Sequence, residues 1–540
     1  MTYLKFTPPN ALVGMNAIRI KWPMSTVAFF LIAAGLFAFG FYLRFHQLTL
    51  AGLWTDELFS VSAALDVGGN SFWLHFTPKL LNELDISDTF LTWKAADNTP
   101  PLFELLLIAW CKFFGESDLA IRSLNAVLGS VAPVIFFFGL RRALGDFPAL
   151  LGSAIFVFSP AAIFYSQEAR AYTLSLFLCT LALVRLVNHV LDNPSGSSQN
   201  QKWTRSVWID VVILILLAYS HYTGLFVAGL LFLIYFYFVV IPQKRYQDVF
   251  KFLLVPLAIV PWMWLSEKAL VFTNKGGLAW RDYDLSQIAT LMVPSTLDLF
   301  LVGAGSLFLA IWFVALIATL TGSAKNRSWI FSMDGISAQL NDRKNLLAIF
   351  LASAVVLLFF YTLYNAFYAK MWHPRYFTVA LPIVFASLAL LFSSVKLGKL
   401  LPLFLTGLII AISLYSLVTY YKSGNHHKEE YREASSYIAQ IVRNDAIIVL
   451  GWKKPNSAYY IHYLKQFLDS SRPYELATVS TLDDVEQFCH APHLTAQQIV
   501  LFQHKDQLPY YAEMSKCPNV KLVSAKRFRG LIVDEYSVDH

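Results

Sequence analysis

Long apolar runs recur along this chain, and they constrain it more than any other feature. No charged side chain occurs from Met24 to Leu43, and none from Leu400 to Tyr421. About 20 apolar residues span a bilayer as an α-helix, and only structures that satisfy their own backbone hydrogen bonds persist in lipid. Stretches near 24–44, 121–140, 148–165, 171–190, 207–222, 224–241, 252–268, 296–319, 345–367, 376–394 and 400–420 fit that length. With 56% hydrophobic and 14% charged residues, the chain is far from the roughly 25% charge of soluble proteins. The expected fold class is a polytopic α-helical membrane protein of about 11 transmembrane helices, with a small C-terminal soluble α/β domain. The first run is too long for a signal-peptide core and lacks a small-residue cleavage site, so it reads as a retained helix.

Charge orients these runs. Lys5, Arg19 and Lys21 precede the first helix and mark a cytoplasmic N-terminus. The stretch after Pro100-Pro101, to Phe114, is too short to span. If it stays on one side, the basic clusters Arg141-Arg142, Lys202/Arg205, Lys244-Arg245, Lys325/Arg327/Arg343-Lys344 and Lys396/Lys399 all fall in the cytoplasm. If it crosses, they all fall outside, against the positive-inside rule. It is therefore expected to be a juxtamembrane or re-entrant helix in a large first outer loop, 46–120, with interfacial helices near 57–66 and 72–84. The net charge of +7 is scattered in short loops, with no basic, aromatic-interleaved patch suited to nucleic acid. Residues 1–420 form the membrane domain and 421–540 the outer soluble domain. In the latter, helices are expected at Glu429–Arg443 and Ser457–Phe467, and strands at Ala446–Leu450, Gln498–Phe502, Val520–Val523 and Leu531–Val538. Of the four cysteines, Cys111 and Cys179 sit in apolar stretches as packing residues. Cys489 and Cys517 are able to pair if their segment lies outside the cytoplasm. There is no zinc-ribbon spacing and no phosphate-binding glycine loop.

Asp56 and Glu57, in Leu53-Trp54-Thr55-Asp56-Glu57-Leu58, stand just past the first run. Two carboxylates at a membrane border are solvated, paired or used. Four further polar clusters share their side. Tyr165–Tyr172 carries Glu168 and Arg170, Ser220–Gly224 carries His221, Lys275–Asp284 carries Lys275 and Arg281, and Lys370–Tyr376 carries His373 and Arg375. Each also has an ordinary reading. Glu168 and Arg170 suit a helix-capping ion pair, His221 a packed interfacial histidine, and Lys370, Trp372 and Arg375 membrane anchors. Asp97-Asn98-Thr99-Pro100-Pro101 suits an Asx turn leading to a proline-started helix.

In their order, Trp-x-Asp-Glu, Pro-Pro-Leu, Gln-Glu-Ala-Arg-x-Tyr and the late Arg-Tyr resemble the integral-membrane glycosyltransferases of the C superfamily. More closely they resemble the bacterial family-39-like proteins related to dolichyl-phosphate-mannose-protein mannosyltransferases and lipid A aminoarabinose transferases. His427 to Tyr437 is similar to the start of the soluble tail of such proteins. The resemblance implies transfer of a sugar from a polyprenyl-phosphate donor to a lipid, glycan or protein acceptor at the outer face of the bacterial inner membrane. It makes Asp56 the base, with Glu57 orienting Asp56 or an arginine. It places Glu168, Asp97 and His221 toward sugar or acceptor, and Arg170, His373 and Arg375 toward the donor phosphate. Thr99 stands where the family commonly has His before Pro-Pro. Some relatives hold a divalent ion, for which Asp97, Glu168 and His221 are the residues to consider; no ligand spacing supports one, and no metal ligand is assigned. The competing function is a secondary transporter or lipid flippase. That function favours ionisable residues and broken helices at mid-membrane in repeated halves, whereas here ionisable residues gather at span ends.

Overall fold

A computed structural model of the chain describes residues 26–67, 90, 94, 99–191, 200–273, 346–358, 374–394, 400–423 and 428–451. Beyond these it describes 458–468, 474–479, 482–490, 496–505 and 514–539. The span expected at 296–319, the interfacial helix at 72–84, the loop Lys275–Asp284, and the candidates Asp97 and His373 lie outside the described residues.

Six described helices are long and apolar enough to cross a membrane: Thr26–Phe45, Asp118–Leu144, Tyr172–Leu191, Tyr222–Gln243, Gln247–Ser266 and Leu400–Lys422. Asp146–Phe158 and Pro160–Ser166, bent by 54° at the break between them, are together apolar and long enough for one further broken span or a re-entrant loop. The bend has a local cause, because Pro160 lacks the N–H that would continue the first helix. Ser159 then caps the second helix, its hydroxyl accepting from Ala162 N at 3.4 Å. Shorter apolar helices at Ser206–Ser220, Leu346–Leu358 and Arg375–Leu390 fall on three further expected spans. The protein is thus a mostly helical, polytopic integral membrane protein.

Helix Asp118–Leu144 is the central post, packing on Thr26–Phe45, Asp146–Phe158 and Tyr172–Leu191. Phe30, Leu31, Phe39 and Tyr42 of the first helix remain exposed, as a lipid-facing surface requires. Leu102–Phe114 has 13 residues and stops at Gly115, whose φ of +85° suits glycine. It is too short to span and is fastened instead, Trp110 Nε1 donating to Ala120 O and Ser123 Oγ at 3.0 Å each. One expectation is corrected. Helix Asn200–Ser220 begins ahead of the span expected near 207–222, within the stretch carrying the basic cluster Lys202/Arg205. Gln201, Lys202 and Arg205 are good helix formers, and no proline or glycine follows Gly196 to stop them.

The C-terminal segment forms a five-stranded sheet of order β2-β1-β3-β5-β4. Its strands are β1 Ala446–Gly451, β2 Tyr474–Val479, β3 Gln498–His504, β4 Val520–Phe528 and β5 Leu531–Val538. β1 pairs in parallel with β2 and β3, while β5 pairs antiparallel with β3 and β4. β1 and β3 are buried throughout, which is why they read as continuous apolar runs. Alternation splits β1 between two cores. Ile448 and Leu450 join Tyr431, Ile438, Tyr460 and Phe502 in a core continuous with the helical body. Ile447 and Val449 join Leu501, Val485 and Met514 on the other face. The sequence reading missed β2 and the helix Leu482–Cys489. β2 is a half-exposed edge strand, with Leu476 43% exposed, so it lacks the apolar run that revealed β1. Cys489 and Cys517 form a disulfide, whereas Cys111 and Cys179 are buried and free.

Candidate active site

The neighbouring carboxylates Asp56 and Glu57 open the helix Thr55–Val61, which continues as a π-helical turn to Val67. They turn to opposite partners. Glu57 is fully buried and meets the buried guanidinium of Arg122 in a two-pronged pair, with Nε to Oε1 at 2.8 Å and Nη2 to Oε2 at 2.6 Å. Arg122 spends its remaining donors on the backbone, giving Nη1 to Leu48 O at 2.8 Å and Ala51 O at 2.7 Å, and Nη2 to Gly52 O at 2.8 Å. All five guanidinium N–H groups are therefore used. Glu57 also accepts from Ala169 N at 2.9 Å and from Trp54 N at 3.3 Å. One ion pair thus fixes the loop before the helix, the helix start and the turn bearing Glu168 and Arg170. Burial alone would push the Glu57 carboxyl up; Arg122 and then Lys428 outweigh it and hold it at about 2.

Asp56 instead pairs with Arg375, which begins the late apolar helix. This pair is about one-fifth exposed on each side, in contrast to the closed pair beneath. The Arg375 guanidinium lies 5.7 Å from the Tyr172 ring centroid and 5.8 Å from that of Tyr376. His221 packs between the same two rings, at 5.6 and 5.5 Å. It begins the helix Tyr222–Tyr235, its Nδ1 accepting from Thr223 N at 3.2 Å. The sequence-predicted residues Asp56, His221 and Arg375 therefore share one rim.

Glu168 and Arg170 do not pair with each other. Asn125 holds the turn between them through the carbonyls of both residues. Arg170 Nη1 donates to Ser60 Oγ at 2.8 Å, and Ser60 donates to Glu104 at 2.7 Å. Buried Lys94 then bridges Glu104 and Thr99, at 2.9 and 2.6 Å. Glu168 is buried and faces Lys428, whose Nζ lies 3.7 Å from Glu168 and 3.6 Å from Glu57. Burial raises Glu168 to about 7 despite Lys428, and the negative charges of Glu57 and Asp56 add to the rise. Burial likewise lowers Lys428, against the pull of Glu57 and Glu168.

The C-terminal segment completes this site. Glu429 accepts from Thr55 N at 3.3 Å, the Tyr431 and Thr55 hydroxyls meet at 3.1 Å, and Tyr463 accepts from Leu53 N at 2.6 Å. Gly52 permits the approach, since a Cβ there would stand 2.8 Å from Arg432 Cβ. Sequence reasoning missed Arg122, Lys428, Lys94 and Glu104. Arg122 carried a signal, an arginine just inside an expected span; Lys428 lay in the tail motif without a role.

Among the described residues, no three His, Cys, Asp or Glu side chains converge as a metal cage. The carboxylates already face cations: Arg122 and Lys428 at Glu57, Lys428 at Glu168, and Arg375 at Asp56. The described donor set therefore does not fit a divalent ion, and no step is drawn through one.

No family model matches the chain, and no curated protein does. Solved structures do match. The crystal structure of ArnT from Cupriavidus metallidurans in the apo state aligns with a TM-score of 0.57 at 11% identity, over 94% of this chain and 98% of that one. The chain has the fold of ArnT. The same ArnT bound to undecaprenyl phosphate aligns over 95% of this chain and 98% of that one, at 12% identity and a TM-score of 0.47. The oligosaccharyltransferase AglB from Archaeoglobus fulgidus, with an inhibitory peptide and a dolichol-phosphate, aligns over 87% of this chain and 69% of that one, at 10% identity and a TM-score of 0.46. The likeness is one of fold.

Proposed function

We propose that the protein is an inverting glycosyltransferase that moves a sugar from a polyprenyl-phosphate donor to an acceptor hydroxyl at the outer face of a bacterial inner membrane. The observation that carries this reading is the partly exposed Asp56–Arg375 pair standing on a buried, fully bonded frame. A donor phosphate suits a guanidinium through paired charge-assisted bonds. Its arrival draws Arg375 away from Asp56 and leaves that carboxylate facing the acceptor. Asp56 then takes the hydroxyl proton as the acceptor oxygen attacks the anomeric carbon. The new C–O bond forms as the bond to the phosphate oxygen breaks, and polyprenyl phosphate leaves with the electron pair. One displacement from the opposite face inverts the anomeric centre. Glu57, consumed by Arg122, is a positioning residue. ArnT, whose fold the chain shares, has also been crystallised bound to undecaprenyl phosphate, which supports this donor class.

The reading carries eleven spans, a cytoplasmic N-terminus and residues 421–540 as a separate outer domain. The Cys489–Cys517 disulfide supports that side, because such bonds persist in oxidising compartments. Purified protein in nanodiscs, given polyprenyl-phosphate sugars and a panel of membrane acceptors, is expected to transfer sugar. Asp56→Asn is expected not to. Normal transfer by the Asn variant would remove Asp56 as the base, and no transfer from any donor by the wild type would remove the reading itself.

A further inference from the structure

We propose that the groove between the helix Tyr431–Ile441 and the edge strand β4 is a binding site for an anionic saccharide. The cavity measures about 350 Å³, within the range that holds a small ligand. The helix turns Tyr431, Ala434, Ser435 and Ile438 into the core. Its opposite face, with Arg432, Ser436, Tyr437 and Gln440, lines the cavity. These residues belong to, or directly follow, the tail motif His427–Tyr437, and the chemistry at Asp56 uses none of them.

The lining matches one ligand chemistry. Tyr437, Phe467 and Phe528 supply flat apolar faces for sugar rings, and Ser436 and Gln440 supply hydroxyl partners. Of the charged groups, Glu433 is taken by Arg432 at 3.0 Å. Lys526 keeps its charge available, its Nζ lying 4.1 Å from the Tyr437 ring centroid and 5.6 Å from that of Phe528. Among the described residues Lys526 has no carboxylate partner. A cation held over aromatic rings beside hydroxyl-binding groups selects a sugar that carries a carboxylate or phosphate. The groove also touches the catalytic loop, because Arg432 donates to Thr49 O at 3.1 Å and Leu50 O at 3.0 Å. The proposal stands on the groove and holds whether or not sugar transfer occurs at Asp56.

Calorimetric titration of the full-length protein in detergent tests it, with tetragalacturonate, maltotetraose and inorganic phosphate as separate probes. Saturable binding of tetragalacturonate is expected, with maltotetraose and phosphate each at least tenfold weaker. Loss of the charge-assisted contact in Lys526→Ala should weaken tetragalacturonate about tenfold, and Tyr437→Ala by a similar factor. Asp56→Asn should bind as the wild type does, which separates this site from the transfer chemistry. Lys526→Glu, on an exposed strand, provides the test if Tyr437→Ala does not fold. Absent tetragalacturonate binding, equal binding of maltotetraose or of phosphate, or undiminished binding by Lys526→Glu would each overturn the proposal.

Discussion

Asp56 and Glu57 are adjacent in sequence and belong to two different regions. Around Glu57 every donor of Arg122 is spent, both side chains are buried, and three backbone segments are fixed at once. Around Asp56 an arginine answers the carboxylate across a partly open rim. The same chemistry, carboxylate against guanidinium, serves as a fixed frame in one place and an exchangeable contact in the other. The difference lies in desolvation. A buried pair is held by the cost of leaving either charge alone, whereas a rim pair gives way to a competing anion.

Substitutions test this contrast from the largest effect downward. Asp56→Asn should lower transfer by about 10²- to 10⁴-fold, the usual yield of a general base, with the unfolding midpoint unchanged. A loss of folded protein instead would move Asp56 into the frame. Glu57→Gln should do the reverse, costing on the order of 3–5 kcal/mol of stability because Arg122 is left buried and unpaired. Thermal unfolding in detergent reads this, and a well-folded but inactive Glu57→Gln protein would dissolve the contrast.

Protons should separate the regions more finely. Glu57, held at about 2, contributes stability that is present above its ordinary 4.5 and lost only as pH falls toward 2. Glu168, raised to about 7, works in the opposite direction. Its contribution is full below its ordinary 4.5 and is lost as pH rises through about 7. The wild-type midpoint should decline between pH 5 and 8, and Glu168→Gln should flatten that decline. An equal decline in the variant would assign it elsewhere. The smallest effect is expected at the exposed pair Lys521–Asp539, where Lys521→Ala should leave stability and activity unaltered, since exposed pairs contribute little.

The frame was much harder to read from the sequence than the rim. Asp56, Glu57, Glu168, His221 and Arg375 stood out because each is polar at the end of an apolar run. Their arrangement was not legible. Arg122 is 65 residues from Glu57, and no local pattern pairs them. Glu168 and Arg170, two apart, suggested a local ion pair, yet the turn held by Asn125 sends them to Lys428 and Ser60. Most membrane helices were visible because lipid and protein interior both require apolar side chains, and β1 and β3 because burial on both faces writes continuous apolar runs. β2 was not, because an exposed edge writes none.

Lys428 has one further consequence, in the order of biosynthesis. The acidic loop is made some 370 residues before the lysine that faces Glu57 and Glu168. Until the C-terminal segment reaches the same side of the membrane and folds, Leu53 and Thr55 also lack Tyr463 and Glu429. A nascent chain therefore carries its acidic centre unfinished until a much later part of the chain closes it.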